Sequence, residues 1–273
     1  MTVAEVVDSH VHLLPGRLGA KVRTIFTDVG GYDLAYPADH AAVCEQLAAE
    51  GVAVVWTLPY AHRPGVADSL NRASAATAAA DLAVQVVAGA TVHPGDDDPV
   101  TVVRRAVEDD GARVLKLHCS VGRFDPLDPA LVPVWDFVEE TRLPVVVHAG
   151  RSPDGVGSGD DLLPLDETAR RHPAARIVIA HCGNDHETDA LAILDRHPNV
   201  HADLTPVVNR LVQVPAADAA RLADRLLFGT DAPNTEVTAA RCRAHVEALG
   251  LAPEATSAIL GGNARRLVAE VAD

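Results

Sequence analysis

Aromatic side chains are scarce, 3% of 273 residues, so a packed interior has to be built from Val, Leu, Ile and Ala. Cationic runs are missing as well. The formal net charge is -15 and no long stretch of Lys or Arg appears, which excludes nucleic acid and anionic membrane surfaces as partners on electrostatic grounds. No apolar run approaches the roughly 18 residues of a membrane span, and the start carries Glu5 and Asp8 where a signal segment would be cationic and then apolar. A cytoplasmic protein is expected. Cysteine is limited to Cys44, Cys119, Cys182 and Cys242, far apart and without Cys-x-x-Cys. That spacing excludes a disulfide framework and a cysteine-based zinc knuckle, and it reads as free thiols.

What is present is the profile of a packed globular chain, with 48% hydrophobic and 22% charged residues. Short runs rich in Val, Leu or Ile begin at Val6, Val52, Leu82, Ala112, Val145, Arg176, Asn199 and Arg225, most of them followed by a helix-patterned segment. The fifth and sixth are continuously apolar rather than alternating, the signature of parallel strands buried on both faces. Units of roughly 30 residues each fill the chain, so the expectation is an α/β protein, a (β/α)8 TIM barrel spanning residues 1–273 as a single domain. The tail from Ala252 is expected to be an extra C-terminal helix. An open doubly wound sheet would favour a Gly-rich phosphate turn after the first strand, and that place holds His-x-His instead. The connection from Leu13 to Pro37 is long for a compact domain. It reads as a lid hinged at Gly16, Gly19, Gly30 and Gly31, or as an irregular surface loop.

The ends of the runs carry the chemistry. In Asp8-Ser9-His10-Val11-His12 the strand period of two puts Asp8, His10 and His12 on one side. Paired neutral imidazoles are candidate ligands for a zinc-like metal, although His-x-His alone is too common to carry a site. Runs five, six and eight end in His148, His181 and Asp231, and a barrel of this type brings its C-terminal strand ends to one rim. Joint placement reverses the ordinary expectation that each lone buried histidine is structural. Lys116 and His118 share a face of the fourth run, and an inward lysine needs a partner to offset its desolvation. Cys119 and Cys182 alternate to the other side and read as buried filler. His62 and His93 follow runs two and three, also toward the rim. Arg17, Arg63, Arg123 and Arg151 fall in rim-side loops of an acidic chain, which suits either an anionic small molecule or solvated surface pairs.

The segments Val-Asp8-Ser-His10-Val-His12, Val-Leu-Lys116-Leu-His118, Val-Val-Val-His148-Ala-Gly, Ile-Val-Ile-Ala-His181-Cys-Gly, Leu-Leu-Phe-Gly-Thr-Asp231-Ala-Pro and Gly-Asn263-Ala-Arg265-Arg-Leu267 resemble the amidohydrolase superfamily, in particular amidohydrolase family 2. The resemblance runs over nearly the whole chain. It implies a divalent metal ion, zinc by expectation, held by His10, His12, His148 and Asp231. Asp231 then accepts and passes on a proton, while His181 polarises the substrate or binds a second ion. One ion rather than two is expected, because His118 competes with Lys116 for the strand-end position at which binuclear members carry a carbamylated lysine. Asp8 either orients His10 or fills the barrel. Substrate contacts fall to Lys116, His118, Arg123, Arg151 and His62. The expected reaction is hydrolysis of an amide, lactone or similar carbonyl centre of a small molecule. Non-oxidative decarboxylation of an aromatic or unsaturated carboxylic acid is the alternative. A small-molecule substrate is the expected partner, with a homo-oligomer allowed. His10→Ala and Asp231→Asn are each expected to abolish turnover while leaving the circular dichroism of the fold unchanged, because the barrel core rather than the metal supplies stability; normal turnover in either variant contradicts the assigned roles.

Overall fold

The computed structural model describes residues 5–150 and 159–272. Eight strands follow one another in chain order around one sheet. They are β1 (Val6–Val11), β2 (Val52–Thr57), β3 (Gln85–Thr91), β4 (Val114–Leu117), β5 (Pro144–Val147), β6 (Arg176–Ile179), β7 (Val200–Asp203) and β8 (Leu226–Leu227). Every neighbouring pair is parallel. The end of β8 returns to β1 through Ser9 N to Phe228 O (2.9 Å), Asp231 N to His10 O (2.9 Å) and His12 N to Ala232 O (2.7 Å). Helices fill the connections, and the chain is a (β/α)8 barrel.

The continuous apolar runs follow from having two buried faces. Val145, Val147, Ile177 and Ile179 pack outward into the helix layer, while Val146 and Val178 point into the barrel with Val7, Val54, Trp56, Val114 and Leu227. With so few aromatics, β-branched and small side chains fill this interior, and Trp56 is its largest member. The expected C-terminal helix is present with a π-helical turn inside it, and it closes the barrel floor rather than lying on the outside. It forms Pro253–Ser257, a π-helical turn Ala258–Gly262 and Asn263–Ala269, and Ala264 and Leu267 join the interior cluster as part of the barrel floor. Gly261 is required there, since a Cβ would collide with the backbone oxygen of Glu5.

Two local expectations give way. The segment after β1 is no irregular loop: it holds the helix Gly16–Thr24, which runs into a π-helical turn at Ile25–Val29. Leu14, Leu18, Val22 and Phe26 recur at helical spacing and pack with Tyr60, a period that the glycines disguise. Strict alternation also fails in β1. Val7 faces the interior and Val11, four residues on, faces the helix layer, because the register with β2 shifts between Asp8 and Val11. A bulge of this kind reverses the facing of everything after it, so Asp8 does not share a side with His10 and His12.

No helix among the described residues is long and apolar enough to cross a membrane. Asn263 is fully buried, and its Nδ2 donates to Ala223 O and Leu226 O, both at 2.7 Å. It ties the floor helix to the start of β8. Asn263→Ala, which strands two buried carbonyls, is expected to cost about 1–3 kcal/mol in urea denaturation; an unchanged midpoint contradicts that role.

Candidate metal centre

The strand ends meet at one mouth. β1 supplies His10, with His12 just past its end, the residue after β5 is His148, and the turn after β6 brings His181. β7 ends in Asp203, and Asp231 follows β8. Three of the imidazoles are pinned through the same nitrogen. His10 Nδ1 lies 2.9 Å from Asp203 Oδ2, His12 Nδ1 lies 2.7 Å from Leu58 O, and His181 Nδ1 lies 3.3 Å from Thr205 O. Carboxylate and carbonyl oxygens only accept, so Nδ1 carries the hydrogen in each ring and Nε2 is the nitrogen left over.

The Nε2 atoms of His10 and His12 face an acid. Oδ1 of Asp231 is 3.1 Å from His12 Nε2 and 3.8 Å from His10 Nε2. With the hydrogens on Nδ1, His12 and Asp231 point lone pairs at each other. That contact repels unless a cation, proton or metal, sits between them. Donor atoms of His10, His12 and Asp231 all lie within 4.8 Å of one another, and so do those of His10, His181 and Asp203. Two imidazole nitrogens and a carboxylate oxygen are a donor set that suits a zinc-like divalent ion. His148 belongs to neither group; its ring is stacked on His118 at 4.1 Å and lies 5.1 Å from that of His181.

Electrostatics set the charge states. Burial, assisted by the Lys116 charge, pushes the His10 pKa down to about 3. Burial likewise pushes His118 and His148 well below the ordinary histidine value. Burial opposes ionisation of Asp231, but a proton held between it and His12, together with the nearby imidazoles, outweighs burial and keeps its pKa low. Asp231 also holds a left-handed backbone, φ 66°, as do His181 at 55° and Cys182 at 47°. Three non-glycine residues in that region at one mouth mark a place where the fold maintains strain.

Lys116 is 0% exposed, and its partner is an imidazole rather than an acid: Nζ lies 3.3 Å from His10 Nε2. Burial pulls its pKa down to about 8 against the attraction of Asp203 and Asp231. The residue that touches the His10 side chain from behind is Asp203, which the sequence reading passed over. Asp8 contacts only the His10 backbone N–H, at 3.1 Å, and otherwise bonds Thr230, at 2.6 and 3.0 Å. A readable signal existed for Asp203, since an acid inside a run otherwise buried on both faces has to be partnered.

The predicted substrate residues divide. His118 lines a small central cavity of about 50 Å³ together with His12, Tyr60, His148, His181 and Asp231, and Phe26 of the helical segment after β1 lines it too. Arg123 and His148 line a second cavity of about 540 Å³ on the β4–β5 side, with Phe124, Asp125 and Leu165. Cys119 lines the same cavity and is partly exposed, not buried filler. Lys116 lines neither. His62 is exposed beside Arg63 and Lys21, away from both cavities. Arg151 lies outside the described residues. His93 is a structural residue, because Nδ1 accepts from Gly95 N and Nε2 bonds Gly122 O.

The family model described as amidohydrolase matches residues 7–269. Among solved structures, a TIM-barrel protein from Bordetella bronchiseptica is 22% identical with a TM-score of 0.77, over 97% of this chain and 99% of that one. 5-Carboxyvanillate decarboxylase from Sphingomonas paucimobilis is 14% identical with a TM-score of 0.70, over 98% and 99%. A protein from Pseudomonas putida provisionally named a 2-pyrone-4,6-dicarboxylic acid hydrolase is 18% identical with a TM-score of 0.64, over 98% of each. These likenesses show the shared barrel. No curated protein matches the chain.

The depressed Lys116 pKa has a thermodynamic consequence. Below pH 8 the lysine is protonated in both states and the folded protein bears the full desolvation cost. Between pH 8 and the ordinary 10.5 the unfolded chain still binds the proton while the folded protein has released it, so folded stability rises with pH. Metal-free Lys116→Met is therefore expected to be more stable than wild type at pH 7, by up to about 3 kcal/mol, with the advantage shrinking toward pH 10.5. A pH-independent difference contradicts the assignment.

Proposed function

The chain belongs to the amidohydrolase family, and on that premise we propose that it is a metal-dependent hydrolase of a small molecule bearing an amide, lactone or related carbonyl centre. The observation that carries this reading is the buried Asp231 carboxylate facing the Nε2 atoms of His12 and His10 at 3.1 and 3.8 Å. His10, His12 and Asp231 would hold the ion, and His148, which lines the same cavity but lies outside their donor group, would have to move toward them to serve as a fourth ligand. A bound zinc-like ion supplies Lewis acidity and makes water a nucleophile near neutral pH.

The chain's own groups do the rest. Asp231, ionised in the resting protein, takes up a proton at its carboxylate and returns it to the leaving group. His181, fixed through its Nδ1 hydrogen to Thr205 O, turns the Nε2 lone pair to the site, where it can accept a hydrogen from the attacking water; it polarises a substrate carbonyl only after taking up a second proton. Tyr60 lines the central cavity, and burial raises its pKa, so the phenol stays protonated and can donate. About 50 Å³ admits water but no organic molecule. We place the body of the substrate in the cavity of about 540 Å³, with its reacting end at His148 and its polar groups toward Arg123, which shares that lining with Asp125, Asp160 and Asp161. We take the ion to be zinc and single.

A second reading is non-oxidative decarboxylation, favoured by the structural likeness to a decarboxylase of an aromatic acid. Incubation with lactones, amides and aromatic acids in H₂¹⁸O separates the two. The hydrolase reading predicts one ¹⁸O in the product carboxylate; carbon dioxide release with no ¹⁸O incorporation overturns it.

A further inference from the structure

We propose that Asp203 is the positioning residue of this centre: one carboxylate fixes the tautomer of His10 and, through its other oxygen, holds the backbone of His181. The inference rests on the reading of His10 as a metal ligand for its functional meaning, though not for its geometry. Asp203 is 0% exposed at the end of β7. Its two oxygens divide the work. Oδ2 takes the hydrogen of His10 Nδ1 at 2.9 Å, and Oδ1 accepts from His181 N at 2.7 Å and from Thr205 N at 3.2 Å.

Each partner matters for a different reason. A carboxylate accepts and never donates when ionised, so His10 must carry its hydrogen on Nδ1 and turn the Nε2 lone pair inward. Lys116 Nζ, a donor 3.3 Å from Nε2, agrees with that assignment. His181 sits in a left-handed conformation that an L-residue adopts at a cost, and Asp203 holds its N–H there. Thr205 closes a ring, since its N–H reaches Asp203 while its carbonyl meets His181 Nδ1. The ligand on β1 and the imidazole after β6 are thereby set by one side chain from β7.

The division of labour predicts what the nearly isosteric Asp203→Asn substitution would do. The amide that replaces the carboxylate has one acceptor oxygen and one NH₂. Two backbone N–H groups, those of His181 and Thr205, cannot become acceptors, so the amide oxygen has to stay with them. The NH₂ then faces His10 Nδ1, and the ring answers by moving its hydrogen to Nε2, the nitrogen the metal would use, with Lys116 Nζ giving up its contact there. Loss of a triad carboxylate in serine proteases acts through the same wrong-tautomer effect.

The test is long-range ¹H–¹⁵N NMR of metal-free protein, with His10 assigned by difference against His10→Gln, together with Zn²⁺ affinity by chelator competition. Wild type is expected to show His10 protonated at Nδ1, and Asp203→Asn to show it protonated at Nε2, with Zn²⁺ bound about 10–100-fold more weakly. Wild-type His10 protonated at Nε2 overturns the inference without recourse to any Asp203 variant, and so does an unchanged tautomer in folded Asp203→Asn. A switched tautomer with undiminished Zn²⁺ affinity upholds the positioning role and removes His10 from the metal reading instead.

Discussion

An imidazole has two nitrogens, and a site that needs one of them has to occupy the other. At this mouth Leu58 O, Asp203 and Thr205 O each take the Nδ1 hydrogen of one histidine. Everything chemical about the centre follows from that constraint. The Nε2 atoms of His10 and His12 are left facing Asp231, and the resulting crowd of lone pairs is satisfied only by a cation. Two of the three pins, Leu58 O and Thr205 O, are backbone atoms just past the ends of β2 and β7, so the barrel itself fixes the tautomers.

Such a centre requires polar groups to be buried, and the barrel distributes them by layer. Lower in the interior, Val7, Val54, Val114, Val146, Val178 and Leu227 form an apolar plug closed by Ala264 and Leu267. Above it come Lys116, Asp203 and His10, all fully buried. Lys116 has no carboxylate among the described residues within ion-pair distance, so burial depresses its pKa. Its contact with His10 Nε2 places a lysine where a ligand's lone pair is wanted, so cation binding and the lysine's proton compete for one nitrogen.

Most of the fold was legible because it depends on a coarse property, eight apolar runs alternating with helical pattern. His10, His12, His118, His148, His181 and Asp231 were legible for a related reason, as polar residues terminating apolar runs. What sequence did not reveal depends on register and long-range pairing. The bulge in β1 turns Asp8 away from His10, and one residue of slip is invisible in Val-Val-Asp-Ser-His. Asp203 lies 193 positions from the histidine it serves, and only the closed barrel joins them. The helix after β1 was hidden by its glycines, although Leu14, Leu18, Val22 and Phe26 keep a helical period.

Crystals soaked in zinc and measured at the zinc absorption edge test the central claim most directly. The account predicts a single anomalous peak in contact with His10 Nε2, His12 Nε2 and a carboxylate oxygen of Asp231. An absence of signal at that point while zinc binds elsewhere, or two peaks bridged through a modified Lys116, would contradict it.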